Sequence, residues 1–244
     1  MTKSACFDVI GTCFSFTHPI TTIHTLLSPK LPSTTTLDAK SLFFSWFYAA
    51  QRDFTYVSLA GTYTPIATIL RSTFRRACLI VDLPTDIVTD SDLDAIMAAF
   101  KAMEARDGLK RCFDGLKEAG WGVYGVTNGG SETSLGYFRK AGIEWLGDGE
   151  LLSCDELGVA KPDVRVYENA NEHLTKQGVG KEDGGGERWF VAAHAWDLIA
   201  ARKAGFKTAY LEFEEHDPVT EVFGKFDLYA KDMDELLEKL KKVG

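Results

Sequence analysis

A chain of 244 residues, 45% hydrophobic and 25% charged, can bury one large core or two modest ones, and its 16 Phe argue against disorder. Its net charge of −8 works against phosphate-backbone partners, because the basic pairs Arg75-Arg76 and Lys241-Lys242 are short and have acidic neighbours. Five scattered cysteines without a CxxC pair suit reduced thiols, and no apolar run approaches membrane-spanning length, so the expected setting is cytoplasmic.

In chain order, Ala5 to Ile10 is an apolar run interrupted by Asp8 and ended by Gly11-Thr12, which predicts a buried strand with a polar group at its carboxyl end. A turn-rich stretch follows from Ser28 to Thr36. From Leu37 to Arg106 the pattern becomes helical. Phe43, Phe44, Phe47, Phe54 and Val57 form one face, Ile66, Ile69, Leu70 and Phe74 another, and Asp90-Ser91-Asp92 opens a third helix where the dipole favours acidic residues. This block lies between strand-like regions and predicts an inserted helical cap, with boundaries 18–107.

Beyond Leu109, helices and strands alternate. Strands are expected at Val123–Val126, Leu151–Ser153, Phe190–Ala193 and Thr208–Leu211. The intervening helices run through Leu135 and Phe138, from Asp163 to Leu174, and from Trp196 to Ala204, and Met233–Val243 closes the chain. Gly178–Gly186 reads as a mobile, glycine-rich loop. The expected fold is α/β: a Rossmann-like parallel sheet, built from 1–17 and 108–244, carrying the cap.

Ligands of open parallel sheets bind at the carboxyl ends of the strands. The polar residues expected there are Asp8, Thr12, Thr127, Asn128, Lys161, His194 and Asp197. Singly, each has a structural explanation: Asp8 as a turn cap, Lys161 as a solvated loop residue, Asp197 as a helix cap. Their joint placement at successive strand ends points instead to one reactive site.

Four segments carry a resemblance to the haloacid dehalogenase superfamily. They are Phe7-Asp8-Val9-Ile10-Gly11-Thr12-Cys13-Phe14, Val126-Thr127-Asn128-Gly129, Gly158 to Tyr167 with Lys161-Pro162-Asp163, and Phe190 to Asp197 followed by Ala204-Gly205. The last two resemble the 2-haloacid dehalogenase branch in particular. The resemblance implies a hydrolase in which Asp8 is the nucleophile and forms an aspartyl ester that water cleaves. It implies that Lys161 favours the Asp8 anion, that the Gly11-Thr12 turn supplies oxyanion-binding N–H groups, and that Asp197 or His194 partners the hydrolytic water. Catalytic roles fall on Asp8, Thr12, Thr127, Asn128, Lys161 and Asp197, and substrate contacts on Ile10, Tyr48, Arg52, Tyr167, His194 and Trp196.

The Mg²⁺-dependent phosphatases of the superfamily carry acidic residues where this chain has Ile10 and Ala193, so the donor set suits neither a metal nor any other cofactor. The dehalogenase pattern is also broken. Ile10 stands where that branch has Tyr, and Ala192 and His194 stand where it has Ser and Asn. Tyr48 aligns with its carboxylate-gripping Arg, with Arg52 one helical turn on. The aromatic helix from Phe43 to Tyr56 reads as core, or, where it faces a cleft, as a wall for an apolar substrate. The expected partner is a small molecule, anionic with an apolar body, and a homodimer is the candidate assembly; neither nucleic acid nor membrane is expected. Dehalogenation of a 2-haloacid leads. A phosphatase and a retired binding protein of the same fold stand as alternatives.

Overall fold

The computed structural model describes residues 3–33, 35–179 and 186–243. The expected loop at 178–186 falls largely outside them. The chain divides into two compact units, Met1–Phe14 with Ala105–Gly244, and Ser15–Glu104.

Strand β1 (Lys3–Asp8) is followed by β2 (Phe14–Ser15), α1 (Thr17–Leu27), a 3-10 turn (Ser28–Lys30), α2 (Ala39–Leu59), α3 (Ile66–Ile80), α4 (Asp90–Lys101) and β3 (Glu104–Ala105). The short strands β2 and β3 pair with each other. There follow α5 (Leu109–Glu118), β4 (Gly122–Thr127), α6 (Ser131–Lys140), β5 (Leu151–Ser153), α7 (Cys154–Leu157) and α8 (Val164–Lys176). The chain closes with β6 (Glu187–Ala192), α9 (Ala195–Lys203), β7 (Lys207–Leu211), α10 (Thr220–Phe223), β8 (Leu228–Ala230) and α11 (Met233–Lys242).

Six strands form one parallel sheet in the order β5-β4-β1-β6-β7-β8. Every residue of β4, and the last four of β6, is buried, as expected for parallel strands covered on both faces. Phe7, Phe113 and Phe138 are fully buried on this sheet, with ring centroids 4.6 Å apart for Phe7–Phe113 and 5.7 Å for Phe113–Phe138. Burial of each such ring contributes about 2–3 kcal/mol. The chain runs from β1 to β4 on one side and places β6 on the other, so β1 lies at the reversal of strand order, where open α/β sheets hold their ligands.

The first strand was expected to reach Ile10 but ends at Asp8. The reason is local: Cys13 N–H and Phe14 N–H both donate to Val9 O, at 2.9 and 3.1 Å, which turns Val9 and Ile10 out of the ladder. Gly11 permits this turn through a φ of 87°, in the left-handed region that a side chain disfavours.

In the helical unit, α2 starts at Asp38, whose carboxylate accepts Ser41 N–H at 3.0 Å, and α4 starts with a reciprocal Thr89–Asp92 capping box. Phe43, Trp46, Phe47 and Phe54 are core of this unit: Phe43 and Phe47 stack at 5.6 Å, Trp46 meets Phe74 edge-on at 4.8 Å, and Trp46 Nε1 donates to Leu70 O at 3.1 Å. Tyr48, Arg52 and Tyr56 occupy the opposite, exposed stripe of α2. None of the helices is long and apolar enough to cross a membrane, among the described residues.

Candidate active site

Asp8 ends β1 and, although buried, keeps a full set of partners. Thr12 Oγ1 donates to Asp8 Oδ2 at 2.6 Å and itself accepts Ala193 N–H at 2.9 Å, so the loop after β6 orients the hydroxyl that orients the carboxylate. The Lys161 ammonium donates to Asp8 Oδ1 and to Asp197 Oδ2, both at 2.9 Å. Lys161 reaches them from the loop before α8, where its own backbone N–H donates to Asn128 Oδ1 at 3.0 Å. Asp197 sits in the first turn of α9, fully buried, and its Oδ1 accepts the Tyr167 hydroxyl.

One ammonium between two buried carboxylates sets the electrostatics. Burial pushes Asp8 up, but the Lys161 charge beside it, with His194 and Thr12, outweighs burial and holds the Asp8 carboxyl far below the usual range. Lys161 is held above its usual value: burial works against its charge, and Asp197 and Asp8 overcome that. Asp197 moves the other way, raised by its burial and by the Asp8 charge against the opposing pull of Lys161. The site therefore holds an Asp8 anion at neutral pH, the form a carboxylate nucleophile requires.

His194 follows β6 and is 1% exposed, with Nδ1 3.4 Å from Asp8 Oδ2. This is an ion-pair approach outside hydrogen-bond geometry, and neither ring nitrogen has a hydrogen-bond partner among the described residues. Its ring stacks on Trp196, with centroids 5.6 Å apart. Burial alone would lower its affinity for a proton. Asp8 first, then Glu215 and Glu214, reverse this and raise it.

The expected residues thus divide. Asp8, Thr12, Lys161, Asp197 and His194 come together. Thr127 ends β4 with its Oγ1 accepting Gly129 N–H at 2.9 Å, so it shapes the turn that presents Asn128. Tyr167 is fully buried with its hydroxyl on Asp197, which gives it a carboxylate to hold where a substrate contact was expected. Ile10 and Trp196 are half-buried. In the helical unit, Arg52 pairs with Asp53 at 3.0 Å, and Tyr48 packs against Phe44 at 5.5 Å. The Gly11 N–H expected to bind an oxyanion is engaged by Phe14 O at 2.9 Å, because closing the turn consumes that donor.

Sequence reasoning missed two supports. Arg106 donates to Gly11 O at 2.8 Å and pairs with Glu214, clamping the nucleophile turn from 95 positions away. Glu215 Oε2 accepts Ala195 N–H at 2.9 Å at the start of α9. The acidic pair Glu214-Glu215 follows the carboxyl end of β7, so the strand-end rule that found Asp8 was the available signal for it.

A family model for haloacid dehalogenase-like hydrolases matches residues 2–205. A curated relative, an (S)-2-haloacid dehalogenase of Burkholderia cepacia, is 32% identical over 125 residues, which is 51% of each chain. The match therefore spans about half the length of that relative. An L-2-haloacid dehalogenase structure superposes with a TM-score of 0.80 at 23% identity, over 98% of both chains. A Xanthobacter autotrophicus L-2-haloacid dehalogenase with chloropropionic acid covalently bound superposes with a TM-score of 0.75 at 17% identity, over the whole of both chains. The two superpositions agree in fold, and the family model, which covers the Asp8, Lys161 and Asp197 segments alike, shows the family: the chain belongs to the haloacid dehalogenase-like hydrolases.

Proposed function

We propose that the chain hydrolyses a 2-halocarboxylate through an ester on Asp8. An Asp8 oxygen attacks C2, the carbon–halogen bond breaks, and halide leaves with the bonding electrons. Water then attacks the ester carbonyl carbon and releases the 2-hydroxy acid. The observation that carries this reading is the buried ammonium of Lys161, 2.9 Å from both Asp8 and Asp197. It keeps Asp8 ionised, and with the Thr12 hydroxyl it is placed to stabilise charge on the Asp8 oxygens as the ester is cleaved. That the Xanthobacter autotrophicus enzyme has been seen with chloropropionic acid covalently bound supports a covalent intermediate.

Ile10 and Ala193 occupy the positions at which the phosphatases of the superfamily carry carboxylates, and no group of three or more His, Cys, Asp or Glu suited to a metal occurs among the described residues. The donor set thus favours attack of Asp8 on a carbon bearing halide over metal-assisted attack on phosphorus. In this reading Ile10 and Trp196 meet the apolar part of the substrate. The five buried free thiols fit a reducing, cytoplasmic setting.

The test is halide release from a panel of 2-halocarboxylates in EDTA, run beside a phosphate-ester panel with Mg²⁺. Halide release that EDTA leaves untouched is expected. Phosphate release that requires Mg²⁺, with no halide, would replace this reading with the phosphatase.

A further inference from the structure

We infer that His194 is the general base of the ester-hydrolysis step, the role that the resemblance leaves open between His194 and Asp197. The inference rests on the dehalogenation reading above and assigns a residue within it.

Asp197 is poorly placed to take a proton from water. It is fully buried, with Oδ2 on the Lys161 ammonium at 2.9 Å and Oδ1 on the Tyr167 hydroxyl. Each oxygen already accepts a donor and the carboxylate has no exposed surface, so a proton taken up there would disrupt the Lys161 and Tyr167 bonds that hold it. His194 presents the opposite case. Its imidazole lies against the nucleophile, with Nδ1 3.4 Å from Asp8 Oδ2, and neither ring nitrogen has a hydrogen-bond partner among the described residues. Buried polar atoms are rarely left so. A ring nitrogen without a hydrogen-bond partner, on the side chain that lies against the nucleophile, is what a general base needs.

The surroundings of the ring make its protonation follow the chemistry. Asp8 faces it from β1, and Glu214 and Glu215 from the segment after β7; of these, Glu215 bonds Ala195 N–H and Glu214 pairs with Arg106. Lys161 lies on the far oxygen of Asp8. In the free enzyme the Asp8 anion favours imidazolium. Esterification removes that negative charge, and the ring gives its proton to solvent as halide departs: Asp8 carboxylate, imidazolium and haloacid become ester, neutral imidazole, halide and a proton. Neutral His194 then takes a proton from water as the hydroxide oxygen bonds to the Asp8 carbonyl carbon. The tetrahedral species expels the alkoxide, which takes the proton of the hydroxyl just added to the Asp8 carbon and leaves as the hydroxy acid, so the Asp8 carboxylate and imidazolium are restored. The Thr12 hydroxyl and the Lys161 ammonium hold the two oxygens throughout.

Rapid-quench single turnover with 2-chloropropionate separates the two half-reactions, using wild type, His194→Ala and His194→Gln, the last keeping volume beside Trp196. In both variants we expect one equivalent of chloride per site in a burst, then steady turnover reduced about 100-fold. Intact-protein mass should show the accumulated ester. In the wild type, decay of the ester should rise with pH through an imidazole titration and level off; in the variants it should be flat. Wild-type-like turnover in either folded variant would overturn the assignment, as would slow chloride release with no trapped ester. Absence of halide from the wild type across the whole haloacid panel would overturn the dehalogenation reading itself, a result separate from both.

Discussion

The side chain of Asn128 holds the backbone of Lys161: Asn128 Oδ1 accepts the Lys161 N–H at 3.0 Å, from the turn after β4. Asn128 therefore acts on Asp8 at second hand, by fixing the chain that delivers the ammonium. Asn128→Ala should lower kcat about 10- to 100-fold while leaving KM within a factor of two, since small misplacements of a catalytic group are costly. Steady-state kinetics on the haloacid substrate check this; a rise in KM with kcat intact would make Asn128 a substrate contact.

Removal of the ammonium itself should be worse. Lys161→Met leaves two buried carboxylates without the charge between them, and it should destabilise the fold by about 3–5 kcal/mol, as breaking buried ion pairs does. The chemical step should fall by about 10³-fold. Urea denaturation and single-turnover halide release measure the two effects separately, and a wild-type halide burst would remove Lys161 from the chemistry.

Asp8→Asn keeps shape and loses the charge, so turnover should vanish while the protein stays folded by circular dichroism. Mass spectrometry must exclude deamidation back to Asp. Residual wild-type halide release in a verified Asn protein would mean that another group is the nucleophile.

Tyr167→Phe tests whether the phenol serves substrate or scaffold. Its ring packs against Phe190 with centroids 5.1 Å apart, which Phe preserves, and only the hydroxyl on Asp197 is lost. We expect a stability loss of about 1–2 kcal/mol. We also expect a fall in kcat of about 10-fold from a misplaced Lys161–Asp197 pair, with KM unchanged. A change confined to KM would restore the substrate role.

The pairing of His194 with Asp8 also has a signature in stability. The imidazole is held above its usual value, so it binds a proton more tightly folded than unfolded. Its contribution is fully present below the unfolded imidazole value of about 6.5, and it is lost as pH rises through the higher folded value. Chemical denaturation of wild type and His194→Gln across this range should therefore show the wild-type advantage shrinking toward alkaline pH. An advantage that grows with pH would contradict the pairing.

What the sequence shows depends on how many residues carry a signal. The strands bearing Asp8, Thr127 and Ala192 were legible because parallel strands buried on both faces give unbroken apolar runs, and because their chemistry-bearing residues lie at the ends. Helix α1 was not read: it is rich in Thr, contains Pro19, and is held by only a few buried positions such as Ile23 and Leu27. The three-residue β8 was not read either. In the site, the cluster of Asp8, Thr12, Lys161, His194 and Asp197 was legible, while two of its supports were not. The Ala193 N–H that orients Thr12 belongs to the backbone, which every residue shares, and Arg106 meets Gly11 only through the fold. Ala193 was read as a lost metal position; its backbone carries the function the side chain lacks.

The helical unit leaves and re-enters the sheet-bearing unit at neighbouring points, since Arg106 N–H donates to Cys13 O at 2.9 Å and β2 pairs with β3. In consequence, the stretch between them is a cassette whose two splice points are already sutured. Replacing it with another helical insert, or with a short turn, asks for no new path through the sheet and no change in strand order. Recombination at these two points would let one scaffold try many helical inserts, and directed evolution can cut at the same seams.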